Sequence, residues 1–371
     1  MTINNRLWSA KVRNLNPYVP GEQSKQENLC KLNTNENPFP PSPKAINAMR
    51  EALANSSDNL RLYPEPESIT LRDEIVKYYN HYYPEMTHDN VFVGNGSDEV
   101  LALIFSCFFV KDRPLLMPDV SYSFYPVYAQ HYGITTQSIP LKADFSIDTD
   151  DYRIPCGGII LANPNAPTSI LLGLDKIRKL ASEHPNSVIV IDEAYIDYAD
   201  EPKNASAIGL IKEFDNIVVV QTFSKSRALA GLRVGMAFAC PSLITALTIL
   251  KNSFNSYPLD MLAQIGAAAS IADSEYFEEK RLEVIHLRNK LEKSLTALGF
   301  EVLPSATNFV FVKPNHKTLN AQNIADKLRE QGILVRHFSH IRTKDYLRIT
   351  VGTAEQNLRL IQALQELVWF A

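Results

Sequence analysis

Short apolar runs alternate with helix-length segments through the middle of this 371-residue chain. The pattern predicts strands at 91–93, 115–117, 135–139, 158–161, 187–191, 217–220 and 234–239, several of them unbroken runs of Val, Ile and Leu. The longest strongly apolar run, 101–110, reads as a buried helix. Strands and helices taken in turn are the signature of a layered α/β domain with a mainly parallel sheet flanked by helices. The 234–239 strand follows its predecessor closely and is expected to run antiparallel, which makes the sheet mixed.

The two ends of the chain read differently. Residues 1–35 form a polar arm carrying Pro17, Pro20 and Gly21. Near 43–55, Ile46, Met49 and Leu53 share one helical face, and Pro64 with Pro66 breaks the following segment. After the central stretch, a polar–apolar helix at about 274–298 leads to a strand at 308–312, a helix at 320–331, strands at 333–336 and 346–351, and a last helix from Thr353. The expected division is an N-terminal arm (1–35), a large domain (36–262) and a smaller α+β domain (263–371).

Composition narrows the function classes. With 45% hydrophobic residues the chain can bury a large core, and two domains suit its length. The net charge is −4 with both signs interspersed, so no basic face advertises nucleic acid or anionic membrane. The 101–110 run is far short of a bilayer span. Met1–Arg6 lacks the apolar stretch of a signal peptide. Cys30, Cys107, Cys156 and Cys240 are isolated, with neither metal spacing nor a disulfide framework, and the eight histidines are scattered. Reduced thiols in the cytoplasm are the expectation.

Candidate chemistry sits where the strands end. Lys225, in Thr222-Phe223-Ser224-Lys225 and followed by Arg233, stands at the mouth of the buried run Ile217–Val220, an expensive place for an unused charge. Thr222, Ser224 and Arg233 around it suit a phosphate beside a reactive amine, the chemistry of a Schiff-base lysine on pyridoxal phosphate. Such an enzyme needs a carboxylate for the pyridine nitrogen. Asp192, at the end of 187–191, can supply it, although an aspartate there is ordinarily a cap or turn residue. In open α/β sheets ligands lie beyond the carboxyl ends of strands, so Asp192 and Lys225 would share one crevice, with Tyr195 close by. Gly94-Asn95-Gly96-Ser97-Asp98 joins a strand to a helix whose free N–H groups could take an anion. Asn163 to Thr168 is a fourth strand-end turn, rigid with prolines, where a cis bond would fit.

Taken in order, Gly94–Glu99, Asn163–Thr168, Asp192-Glu193-Ala194-Tyr195 and Ser224-Lys225 through Arg233 resemble the class I/II, fold-type I, pyridoxal phosphate aminotransferases. Lys31–Pro38, Arg61–Pro64, Ser121–Tyr125 and Tyr346–Thr353 make the chain most similar, within them, to the histidinol-phosphate aminotransferases. The resemblance spans essentially the whole chain. It implies that Lys225 holds the cofactor and shuttles the proton, Asp192 pairs with the pyridine nitrogen, Tyr195 bonds the ring hydroxyl and Tyr122 stacks on the ring. Ser97, Asp98, Thr222, Ser224 and Arg233 are implied to hold the phosphate, and Tyr63 to reach the phosphate of a neighbouring subunit in a homodimer.

The chain departs from the family pattern twice. Ala166 stands where an asparagine normally bonds the ring hydroxyl, so that contact is assigned to Asn165. Ser169 replaces the glycine after the threonine, which matters only if the turn needs positive φ.

The substrate is expected to be histidinol phosphate, exchanging its amine with 2-oxoglutarate and glutamate in histidine biosynthesis. Arg348 occupies the position where the wider family binds a substrate carboxylate. Arg336 resembles a second anion ligand; two guanidinium forks would suit a phosphate. Without a ligand, either arginine would simply pair with a surface acid. The resemblance places Tyr18, Asn95 and Tyr257 as further substrate contacts. Two alternatives share these motifs: an aromatic amino-acid aminotransferase, and a lyase resembling threonine-phosphate decarboxylase.

Overall fold

A seven-stranded sheet organises the larger part of the molecule. The computed structural model describes residues 6–18, 21–22, 28–109, 112–316 and 319–369; the expectations at Met1–Asn5, Pro20 and Val110 lie outside them. The strands are β1 (Cys30–Lys31), β2 (Val91–Asn95), β3 (Leu115–Pro118), β4 (Thr136–Ile139), β5 (Gly158–Ala162), β6 (Val188–Asp192), β7 (Ile217–Thr222), β8 (Val234–Ala239), β9 (Phe300–Val302), β10 (Phe309–Pro314), β11 (Ile333–Leu334), β12 (Arg336–His337) and β13 (Leu347–Thr350).

The large sheet has the order β2-β8-β7-β6-β5-β3-β4. Its pairs are parallel except those made by β8, which runs antiparallel to both β2 and β7. The single reversal has a functional consequence. Six strands deliver their C-terminal ends to one edge, and the antiparallel strand delivers its N-terminal end, with Arg233 just before it, to that same edge.

Alternation along the central strands explains the two-sided burial. Ile159, Leu161, Ile189, Ile191, Ile217 and Val219 belong to one apolar cluster, which includes residues of the helices Ile69–Asn80, Leu174–Glu183 and Met261–Ala272. Ile160, Val190, Val218 and Val220 face the opposite cluster, with the helices Gly96–Phe108, Tyr125–Tyr132 and Pro241–Phe254. Each such side chain contributes roughly 1.5–3 kcal/mol on burial, which holds the strands rigid enough to fix the groups at their ends.

The C-terminal region builds its own antiparallel sheet, β12-β13-β10-β9, over the helices Ser274–Ala297, Ala321–Glu330 and Ala354–Trp369. The single strand expected at 333–336 is two. β11 pairs in parallel with β1 of the arm, Cys30 opposite Ile333, whereas β12 pairs with β13. The chain changes sheets at Val335, so the arm is stitched to the C-terminal region rather than left free. The helix Met261–Ala272 packs its Ala263, Ala267 and Ile271 into the large-sheet core. We propose on that ground that the large domain runs to Asp273, some ten residues past the expected boundary, and that the arm ends by joining the smaller domain. No helix among the described residues is long and apolar enough to cross a membrane.

Candidate active site

The strand ends converge on a cavity of about 120 Å³. Asp192 closes β6 and Thr222 closes β7, and the loop beyond β7 carries Ser224 and Lys225. This loop is rigid because Phe223 is fully buried and its carbonyl accepts the Leu229 amide at 3.0 Å, while the Ser224 amide donates to Thr222 Oγ1 at 3.1 Å. Nine of the eleven expected cofactor residues line the cavity: Lys225, Asp192, Tyr195, Tyr122, Ser97, Asp98, Thr222, Ser224 and Arg233.

One wall suits an anion. Ser97 and Asp98 lie in the first turn of the helix Gly96–Phe108, where backbone N–H groups are unpaired. Gly235 of β8 lets that turn come close: a Cβ there would lie 2.3 Å from Ser97 N. Gly96 itself has φ +76°, a conformation glycine takes freely. The close approach brings Arg233 over the helix terminus, where its guanidinium donates to Ser224 Oγ at 3.4 Å and Asp98 Oδ2 at 3.1 Å. The Asp98 carboxylate also accepts from Tyr122 OH at 3.2 Å, so it orients the arginine and the tyrosine. A carboxylate cannot donate, which leaves only the Asp98 N–H for an anion.

The opposite wall suits a cationic ring nitrogen. Asp192 is 5% exposed and accepts from Tyr125 OH at 2.7 Å and from the Ala194 amide at 3.3 Å. Burial raises its pKa to about 6, against which the Tyr125 bond and the Ala194 amide pull down. A proton-bearing heterocycle in the cavity would satisfy this carboxylate. Between the walls, Lys225 Nζ lies 3.4 Å from the Thr34 carbonyl and 5.8 Å from the Tyr195 ring centre. Tyr195 OH accepts from Asn35 Nδ2 at 2.9 Å, and Asn37 Nδ2 donates to the carbonyl of Lys225 at 3.0 Å. An amine held between an anion cradle and a buried carboxylate can form an imine and pass a proton between neighbouring atoms.

A second cavity, about 260 Å³, shares Tyr122 and Ala166 with the first. Tyr18, Ser121, Phe338, Arg336 and Arg348 line it, and Tyr18 packs on Phe124 with ring centres 4.9 Å apart. Arg336 and Arg348 are direct cross-strand partners in β12 and β13. Two cations side by side without an acid are costly, yet among the described residues neither has a carboxylate within ion-pair distance. Arg348 donates from Nη2 to the Asn33 carbonyl at 3.0 Å, and its buried Nε has no partner. Burial and the Arg336 charge push the Arg348 pKa down, countered by nearby tyrosines. An incoming anion would relieve all three conditions.

Other expected residues lie elsewhere. Asn165 is a correction: its carboxamide is consumed by the turn, donating to Val120 O at 3.0 Å and Thr168 Oγ1 at 2.8 Å and accepting from Ser121 Oγ at 2.9 Å. Ala166, not Asn165, faces both cavities. The turn does require the left-handed region, since Ser169 has φ 66°, and its hydroxyl bonds the Thr168 and Pro304 carbonyls. Both Asn163-Pro164 and Ala166-Pro167 are cis. Asn95, Tyr257 and Tyr63 line neither cavity. Asn95 donates to Pro258 O at 2.9 Å, and Tyr257 stacks on Tyr63 with ring centres 4.7 Å apart. Tyr63 is 82% exposed.

Three neighbours of the site had a signal in the sequence but no assigned role. Tyr125 lies one helical turn after Tyr122 in a motif already singled out. Asn35 and Asn37 alternate in Asn33–Asn37, whose spacing does not disclose that the arm crosses back over Tyr195 and Lys225.

Comparison with known proteins agrees with this geometry. The model of the family described as aminotransferase class I and II matches residues 27–364. A protein of Psychrobacter arcticus named histidinol-phosphate aminotransferase 2 is 62% identical over 370 residues, covering 98% of this chain and 96% of its own length. The histidinol-phosphate aminotransferase of Acinetobacter baumannii is 54% identical over 365 residues, covering 98% of each. Among solved structures, the histidinol-phosphate aminotransferase of Sinorhizobium meliloti in complex with pyridoxal-5'-phosphate has a TM-score of 0.82 at 23% identity, covering 92% of this chain and 91% of its own. The enzyme of Clostridium acetobutylicum has the same score and identity, with 92% and 99% covered. These two share the fold. On the family match and the high-identity relatives, this chain belongs to the class I and II aminotransferases.

Proposed function

We propose that this chain is a pyridoxal-phosphate-dependent transaminase that moves an amino group between histidinol phosphate and 2-oxoglutarate in histidine biosynthesis. The observation that carries the substrate assignment is the pair Arg336–Arg348, cross-strand neighbours with no acidic partner among the described residues, in a cavity that shares Tyr122 and Ala166 with the one lined by Lys225. A phosphate presents more charge and more acceptors than a carboxylate and suits two guanidinium forks. The relatives' names point the same way.

The residues fit the cofactor, which when bound supplies an electron sink for the carbanion left by proton removal. Ser97, the Asp98 N–H, Thr222, Ser224 and Arg233 would hold its phosphate, and the buried Asp192 would pair with its ring nitrogen and keep it protonated. Tyr122, bonded to Asp98, would stack on its ring, and Tyr195, fixed by Asn35, would bond its ring hydroxyl. Lys225 Nζ moves the proton, its backbone pinned by Asn37. Tyr18 lies against the substrate, and Arg348 and Arg336 receive its anionic end.

The active form in this reading is a homodimer. Tyr63, 82% exposed and stacked on Tyr257, reaches the partner's phosphate site rather than its own. Asn95 and Tyr257 line neither cavity of a single chain; Tyr257 stacks on Tyr63, and Asn95 donates to the carbonyl of the adjacent Pro258.

A substrate panel tests the assignment. Glutamate formation from 2-oxoglutarate with histidinol phosphate is expected, at higher kcat/KM than with phenylalanine or tyrosine. Carbon dioxide release instead would indicate a lyase. Arg348→Ala should lower kcat/KM by about one to four decades, since each bond to a charged group is worth roughly 1.5–3 kcal/mol. Arg336→Ala should cost less, and should harm histidinol phosphate more than an aromatic amino acid. Equal harm to both would favour the aromatic aminotransferase.

A further inference from the structure

The outer wall of the larger cavity belongs to neither sheet. It is the connection between β12 and β13, from which Phe338, His340 and Thr343 face the cavity. This connection is closed at its base: His337 Nε2 lies 2.7 Å from the Lys344 carbonyl. A carbonyl only accepts, so Nε2 carries the proton. It is turned at its tip, where the amides of Thr343 and Lys344 both donate to the His340 carbonyl, at 2.9 and 2.8 Å.

The tip is also tied across the molecule. Arg342 Nη1 donates to both oxygens of Asp119, at 3.0 and 2.7 Å, and Nη2 donates to the Lys142 carbonyl at 2.7 Å. The guanidinium lies 5.2 Å from the Phe145 ring centre. Asp119 comes directly after β3 and is braced in turn by the Leu141 amide at 2.9 Å. The two side chains are 25% and 20% exposed, so the pair is partly shielded from screening. One end of this contact sits at the C-terminal edge of the large sheet, and the other on the smaller domain. Asp119, Val120 and Ser121 wall the cavity on one side of it, Phe338 and Thr343 on the other. Arg342 itself does not line the cavity, and unlike Arg336 its donors are already committed to the protein.

We propose that the Arg342–Asp119 contact is a positioning clasp that sets the width of the substrate cavity and so selects for a long amino substrate with an anionic end. The proposal rests on the reading of this cavity as the substrate site. Phe338 transmits the effect, since its ring lies 5.8 Å from the Arg336 guanidinium and 5.7 Å from that of Arg348. If the wall moves, the two arginines lose their aromatic backing, and a phosphate gripped by both is misaligned. A shorter dicarboxylate that engages Arg348 alone is held mainly from the β13 side and is affected little.

The test uses the holoenzyme and Arg342→Met, which keeps an apolar stem and removes every donor. KM for histidinol phosphate should rise about tenfold with kcat within about threefold, while KM for 2-oxoglutarate stays within about twofold. Backbone amide exchange across 338–344 should quicken at least about tenfold relative to wild type. Asp119→Asn added to Arg342→Met should raise KM by less than about twofold more, because the contact is already gone. Arg342→Lys, the milder change, should fall between wild type and Arg342→Met in both readouts. Unchanged exchange would overturn the clasp, and a parallel rise of both KM values, or of neither, would overturn the selection. Failure of the wild-type enzyme to use histidinol phosphate would count against the functional reading instead; the exchange measurement needs no substrate and would still decide the clasp.

Discussion

Asp192 shows how much chemistry a single position can hold. It is the last residue of a strand whose other four members are buried aliphatics, so the backbone cannot carry its carboxylate to solvent. The raised pKa is a consequence of that placement, and so is its use: a buried carboxylate with one neutral hydroxyl partner gains most from a cationic ligand. Asp192→Asn keeps an oxygen for Tyr125 and loses the charge. The variant should fold and bind the cofactor, with kcat reduced about a hundredfold, corresponding to a loss on the order of 3 kcal/mol. Loss of the fold with no specific catalytic defect would make Asp192 a structural cap.

At the scale of elements, the 163–169 turn illustrates a side chain captured by its own loop. Asn165 makes three hydrogen bonds within the strand-end cluster and is 3% exposed. Removing it strands the Val120 carbonyl and the Thr168 and Ser121 hydroxyls. Asn165→Ala should therefore cost stability, on the order of 1–3 kcal/mol, and lower the thermal midpoint. The pH titration of the bound cofactor's colour should stay unchanged. A shifted titration at unchanged stability would return Asn165 to the ring hydroxyl.

The whole molecule adds two expectations. Asp192 and Glu193 are adjacent, buried, and raised in pKa mainly by desolvation, to about 6 and about 7. Their ordinary values are 3.8 and 4.5, so between those values and the raised ones the folded state binds more protons than the unfolded chain. Each group's destabilising contribution is therefore complete above its folded pKa and recedes as pH falls. The thermal midpoint of the cofactor-free protein should rise as pH is lowered from about 8 towards about 5. A flat or opposite profile would show that folding does not hold these two carboxyls above their ordinary values. The second expectation is quaternary. Sedimentation of the active enzyme should give a dimer, and Tyr63→Phe should weaken cofactor binding in it; an active monomer at assay concentration would remove the role given to Tyr63.

Much of this was legible along the chain because it is local. Unbroken runs of Val and Ile announce buried strands, and the residues just past a buried strand must emerge at the sheet's edge. Asp192, Thr222, Ser224 and Lys225 could therefore be placed together without coordinates. Two-sided burial of the sheet comes from the same pattern, and the antiparallel direction of β8 from the short connection before it. The contacts that depend on distant parts of the chain were not legible. That Asn35 and Asn37 hold Tyr195 and Lys225 and that Arg342 reaches Asp119 across 223 residues are decided by tertiary packing, and that Arg336 and Arg348 are direct neighbours is decided by the register of β12 on β13. Asn165 marks the boundary between the two kinds of information. Its neighbourhood in sequence assigned it to the cavity, and only the close-packed turn, with every polar atom satisfied inside it, turned the side chain away.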